Sequence, residues 1–233
     1  MATLGGIVGL LAILGLIAAI ILRTRYYERK RTEAMAAAAA EIGLEFSADQ
    51  EDALVETLQV FALFTKGHRR KMRNLMTAET ELVTLTIFDY RFTTSGGEHS
   101  TTHHQTVILM QSDSLDLPRF RLKPERFFDK VGAAIGFQDI DFDENPEFSQ
   151  AFTLKGDDEP AIRTFFDQEM LAEFVKHQGV AVESDRGLFI YYQTGRKKPE
   201  EIRQFMTDGY AIYSAFAERL ERSAADFFTA FSA

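Results

Sequence analysis

LVTLTIFDYRFTTSGGEHSTTHHQTVILMQ, residues 82–111, is the stretch that decides the fold. Its two halves, Leu82–Phe92 and Thr101–Gln111, are dense in Thr, Val, Ile and aromatic residues, which fit a pleated, half-buried surface. TTSGGEHS separates them, and Gly96-Gly97 within it supplies the positive φ that a tight turn requires. The segment therefore reads as a β-hairpin. The runs Arg70–Met76 before it and Leu117–Leu122 after it are expected to flank it as further strands.

Downstream, Val180–Glu183 and Leu188–Tyr192, split by Ser184-Asp185-Arg186-Gly187, read as a second hairpin. Helical periodicity occupies the rest. One helix starts at Pro124, carries Phe127, Phe128, Val131 and Ile135 on one face, and stops at Gly136. A second starts at Asp157-Asp158 and runs to Gly179, with Ile162, Phe165, Phe166, Met170, Phe174 and Val175 as its apolar stripe. A third, from Pro199, buries Ile202, Phe205, Met206, Tyr213, Phe216 and Leu220, with Phe227, Phe228 and Phe231 extending the stripe. Hairpin-linked strands with helices laid on one face make an α+β plan: a mainly antiparallel sheet in a single domain over 44–233. With 21 Phe and no Trp, its core should be Phe-rich.

Upstream, MATLGGIVGLLAILGLIAAIIL contains no charged side chain. Residues 2–22 are long enough as a helix to span about 30 Å of hydrocarbon, so residues 1–22 read as a transmembrane helix contacting the lipid bilayer. No basic residue precedes the run, unlike a cleavable signal peptide. Arg23, Arg25, Arg29, Lys30 and Arg31 follow it against Glu28 alone, which favours a single-pass topology with the domain in the cytoplasm. Tyr26 and Tyr27 fall where an interfacial aromatic belt would lie. Residues 23–43 read as a helical stalk, ended by Gly43, before a short extended piece at Leu44–Phe46 and a helix through about Leu58. Gly5 and Gly9 form a GxxxG through which two such helices could dimerise.

FDYRFTT at 88–94, STTHHQTV at 100–107, LPRFRLKPE at 117–125 and IDFDENPEFS at 140–149 together resemble an uncharacterised family of bacterial membrane-anchored proteins. The resemblance covers roughly residues 60–195. It implies an N-terminal span followed by one domain, and brings no activity, cofactor or catalytic residue with it.

The chain has no cysteine, which excludes disulfides, thiolate catalysis and Cys-based zinc sites. Its net charge of −9, mostly in the C-terminal half, argues against nucleic-acid binding. No P-loop, dinucleotide-binding glycine motif or nucleophile elbow occurs. If Gly96-Gly97 forms the two-residue turn, Asp89 stands opposite His104. A carboxylate holding an imidazole in one tautomer is a recurring catalytic arrangement, so this pair is the catalytic candidate, though no nucleophile accompanies it. The bland reading is a structural Asp–His bond. His99, His103, His104 and His68 lack the spacing of a metal site, and Asp139, Asp141 and Asp143 open like a calcium loop that then fails at Glu144 and Gln150. Neither a metal nor a cofactor is called for.

Lys66-Gly67-His68-Arg69-Arg70-Lys71-Met72-Arg73 is the strongest basic run. Near anionic lipid each such side chain gains about 1 kcal/mol, and the same charges suit an acidic protein partner. Lys and Arg also protect a strand edge from pairing. The reading favoured by the sequence is a membrane-tethered binding or scaffold module at the cytoplasmic face, with Arg69, Arg70, Lys71 and Arg73 as its contact residues. The alternative is a membrane-anchored enzyme with a pocket around Asp89 and His104.

Overall fold

The computed structural model describes residues 2–49, 52–96, 99–125 and 138–231, with side chains for 11–49, 53–96, 99–125 and 139–221. Helix α1 (Ala2–Ile42) is unbroken, so the expected span and stalk are one element. It ends where Gly43 takes a φ of 79° and the Leu44 amide reaches back to the Ala39 carbonyl at 2.9 Å, a glycine C-cap. Its last turns enter the domain, where Met35 and Ala39 are fully buried.

Strand β1 (Glu45–Asp49) is followed by α2 (Asp52–Thr57), a 3₁₀ turn and α3 (Ala62–Thr65). Strands β2 (His68–Glu79), β3 (Thr84–Gly96) and β4 (His99–Gln111) form a meander, and β5 (Leu117–Pro124) and β6 (Gln138–Asp139) follow. Then come α4 (Pro146–Ala151), β7 (Phe152–Gly156), α5 (Glu159–Phe165), α6 (Gln168–Lys176), β8 (Val180–Arg186), β9 (Leu188–Gln193) and α7 (Ile202–Phe231). All strands join one antiparallel sheet in the order β1-β2-β3-β4-β9-β8-β5-β7-β6. The α+β architecture expected from the two hairpins is present.

Several local expectations are corrected. Leu117–Leu122 does not flank the first hairpin; β9 lies beside β4, with Val107 opposite Tyr192. The physical reason is burial. Phe189, Ile190, Tyr191 and Tyr192 form a continuous buried run suited to a strand covered on both faces, whereas β5 alternates buried and part-exposed residues. The helix read over 157–179 is two helices. Asp167 breaks it by capping α6 through the Met170 amide, at 2.8 Å, while pairing with Arg219 on α7. The helix expected after Pro124 falls on residues 126–137, outside the described residues, as do the side chains of Phe227, Phe228 and Phe231. The C-terminal helix forms as expected.

Helices also cover both faces instead of one. The larger core lies against α1, α5, α6 and α7 and includes Ile87, Ile108, Tyr191, Phe174 and Phe216. Rings of Phe120, Phe166, Phe174 and Phe216 pack at centroid distances of 5.1–6.3 Å, giving the Phe-rich core. A smaller core under α2 and α3 holds Phe61, Phe64, Phe88, Tyr90 and Phe92.

Candidate functional site

Strand β2 is not a regular strand. Its register against β3 slips between His68 and Lys71 and again between Arg73 and Met76, and Arg69 and Asn74 sit in the slips with φ of 51° and 55°. Each bulge inserts one residue and so reverses which face the following side chains take. The bulge at Asn74 lets Met72 serve the small core while Met76 serves the large one. It also places Arg73 directly across from Asp89, and Lys71 across from Arg91, next to α1.

Asp89 is 4% exposed and holds α1 to the sheet. Its Oδ2 accepts from Arg31 Nε at 2.7 Å and from Asn74 Nδ2 at 2.8 Å. Its Oδ1 accepts from Arg31 Nη2 at 2.8 Å and from Thr106 Oγ1 at 3.1 Å. Arg31 Nη2 donates further to the Lys197 carbonyl, and the Lys197 amide donates to Thr106 Oγ1, both at 2.9 Å. The carboxylate is fully used, while the Asn74 Oδ1 is left buried without a partner. One turn nearer the N-terminus, Glu28 accepts from Arg196 Nη1 at 2.8 Å.

The expected pairing of Asp89 with His104 does not form. Gly96 pairs with His99, a register that a two-residue Gly96-Gly97 turn does not give. Moving a hairpin turn by one residue moves every cross-strand partner by two, and Asp89 consequently faces Thr106 while His104 faces Arg91. With four donors on the Asp89 carboxylate, its acceptor positions are occupied. His104 sits beside the Glu28–Arg196 pair with Nδ1 buried and unbonded. Burial, then the Arg196 charge, lowers its pKa below the ordinary imidazole value.

Between α1 and the β2–β3 ribbon lies a cleft of about 270 Å³. Arg25, Arg29, Lys71, Arg73, Arg91 and Arg196 line it, together with Thr24, Tyr90 and two acids, Glu28 and Asp89. Both acids are already spent on Arg196 and Arg31. Arg73 Nε is buried without a hydrogen-bond partner. The cleft is thus a concentration of positive charge on a chain whose net charge is −9.

The basic run read from the sequence is divided by the bulges. Arg73 lines this cleft, Arg69 and Arg70 border a second hollow with Val55, Gln59 and Phe64, and Lys71 lines both. Arg70 is partly structural, since its Nη1 donates to the Phe64 carbonyl. The histidines also separate. His103 stacks on Phe92 at 4.7 Å and bonds Thr94 Oγ1 at 2.9 Å, facing away from His104. Asp139 pairs with Lys155, and the intervening Ile140 and Phe142 point into the core. Among the described residues, no group of three or more His, Cys, Asp or Glu side chains is arranged to hold a metal ion.

Sequence reasoning missed Glu28, Arg31, Arg91, Thr106 and Arg196 as partners in this region. Glu28 carried a signal, as the single acid among five cations. The others are joined by long-range contacts with no local signature.

Among the described residues, no helix is long and apolar enough to cross a membrane. Of the expected span at 2–22 the helical backbone is described throughout, but side chains only from residue 11 onward, so the expected contact through Gly5 and Gly9 lies outside what is described.

No protein-family model and no curated protein matches the chain, which is compatible with the resemblance to an uncharacterised family. The fold is similar to the crystal structure of the mycobacterial trehalose monomycolate transport factor A, TtfA. The TM-score is 0.60 at 11% identity, covering 82% of this chain and 95% of that one, a likeness of fold alone.

Proposed function

We propose that the chain is a single-pass, membrane-tethered binding module whose α+β domain rests at the cytoplasmic face. The observation that carries the reading is the surface of α1 before Arg23. Leu11, Ile13, Leu14, Leu16, Ile17, Ile20, Ile21 and Leu22 are all 47–64% exposed, and they occupy every side of the helix. A helix apolar all round, with no protein against it, is stable only where another apolar medium surrounds it. Residues 2–10 continue the same uncharged sequence, giving about the 20 residues that a bilayer core requires.

The boundary at Leu22 supports the same reading. Arg23 lies over the Tyr27 ring at 5.6 Å and Lys30 over the Tyr26 ring at 4.9 Å, and both rings are exposed, as in an interfacial belt. The excess of basic residues after the span favours the cytoplasmic side. Tethering confines the domain to a surface and raises its effective concentration towards anything else there. Its ligand is anionic, taken up mainly by Lys71 and Arg73 of the basic run. A protein of the same fold is described as a transport factor, a role in keeping with binding rather than chemistry.

The test is carbonate extraction of membranes from cells making the full chain. The protein is expected to remain in the pellet, and a variant with Leu14, Ile17 and Ile21 each replaced by Arg is expected to move to the supernatant. Release of the unaltered chain by carbonate would refute the tether.

A further inference from the structure

We propose that the cleft between α1 and the β2–β3 ribbon is a binding site for the phosphate of an anionic lipid headgroup, held chiefly by Arg73 and Arg91. The proposal rests on the tethered reading and gives its ligand a chemistry and a place.

Three observations converge. The first is unspent charge. The acids lining the cleft are committed to Arg31 and Arg196, whereas Arg25, Lys71, Arg73 and Arg91 have no carboxylate within ion-pair distance among the described residues. Asp49 stands opposite Arg73 across β1 yet forms no ion pair with it. The second is like-charge opposition. Lys71 and Arg91 are direct cross-strand partners, an arrangement that disfavours the sheet unless something negative lies between them. Beside them, the Arg73 guanidinium keeps a buried Nε without an acceptor. A local rule broken without a structural gain marks a functional position.

The third is height. At 1.5 Å per residue, Arg25 and Arg29 lie about 5 and 10 Å beyond Leu22 along α1. A headgroup layer is about 5–8 Å thick on each side of the hydrocarbon. The cleft therefore opens at the level of lipid phosphates, with α1 as one wall. Guanidinium forks match phosphate oxygens bidentately, and a cleft of 270 Å³ leaves room for the group and several waters at about 30 Å³ each.

The experiment uses the full chain in nanodiscs of phosphatidylcholine, with or without phosphatidylglycerol. Co-elution with the discs reads the tether. Native mass spectrometry of the released protein then counts retained lipid. The unaltered chain is expected to retain a single phosphatidylglycerol, and Arg73→Gln/Arg91→Gln to retain it about tenfold less, as expected for losing charge-assisted contacts. Arg69→Gln, which removes one such charge outside the cleft, is expected to behave as the unaltered chain. Circular dichroism of the double variant verifies that it remains folded. Co-elution with equal phosphatidylglycerol on all variants, or with none on any, overturns the cleft and leaves the tether standing. Failure to co-elute overturns the tether, and the lipid site with it. Full displacement of the lipid by millimolar inorganic phosphate overturns the lipid as the source and assigns the cleft to a soluble phosphate.

Discussion

Replacing Asp89 with Asn keeps the outline of the side chain while cancelling the charge that holds α1 against the sheet. Arg31 would then be left 16% exposed with its guanidinium facing an amide. Two charge-assisted bonds between Arg31 and Asp89 are worth about 1.5–3 kcal/mol each, and breaking one partner of a buried pair costs about 3–5 kcal/mol, so the two routes agree. Set against a total stability of about 5–15 kcal/mol, this is about a fifth of the fold or more. In urea unfolding of the full chain in mild detergent, with a slope near 2 kcal/mol/M, the midpoint should fall by about 2 M. The slope itself should not change, because the surface exposed on unfolding is the same. Arg31→Met combined with Asp89→Asn removes both charges and should restore about half of the loss, since no buried charge is then left without its counter-charge. A shift below about 0.5 M for the single variant, or a double variant that falls by the sum of the two single ones, would refute the reasoning.

Gly67→Ala should destabilise by more than about 2 kcal/mol, because φ there is 65° and a Cβ would lie 2.3 Å from the Thr93 carbonyl oxygen. Gly43→Ala shares the positive φ but meets open space, so it should cost about 1 kcal/mol; hydrogen exchange over residues 68–73 separates the two, opening only in the first. Since burial lowers the pKa of His104, the unfolded chain binds more protons than the folded one between that lowered value and about 6.5. Stability should therefore fall as pH drops through about 6.5 and level off below the folded value. His104→Asn should reduce that slope in urea midpoints taken from about pH 7.5 to about pH 5, leaving the contribution of His103, which burial also lowers; an unchanged slope would remove His104 from the account.

How much of the molecule was readable from its residues depended on whether the signal was local. The hairpin at 84–111 and the β8–β9 hairpin declare themselves through turn glycines and β-branched runs, and α7 through its period. The order of strands across the sheet does not. It turns on LFIYY at 188–192 being apolar on both faces, which a single strand reading cannot weigh against its rivals. Turn placement within SGGEH decided the partner of Asp89, and either glycine of the pair serves the turn equally well in sequence. The bulge at Asn74 was hidden for a similar reason, because an Asn between Arg73 and Leu75 carries no parity of its own. Such a residue shows itself only once Met72 and Met76 are seen to serve different cores. The basic character of the cleft was legible in Lys71 and Arg73, but the neutralisation of its two acids was not, since Arg31 and Arg196 reach those carboxylates over 58 and 168 residues of sequence.

Because α1 runs without interruption from Ala2 to Ile42 and is clamped at Glu28 and Arg31, it has no swivel. Segment and domain rotate as one shaft, and the heading of the domain is set by helical phase. A single Ala inserted between Leu22 and Glu28 would turn the domain by about 100° and raise it by about 1.5 Å relative to whatever grips the first 22 residues. Seven inserted residues, close to two full turns, would nearly restore the heading while lifting the domain about 10 Å. Bearing and elevation, fixed in the natural chain, are thus both set by the length of one insertion, the first cyclically and the second steadily.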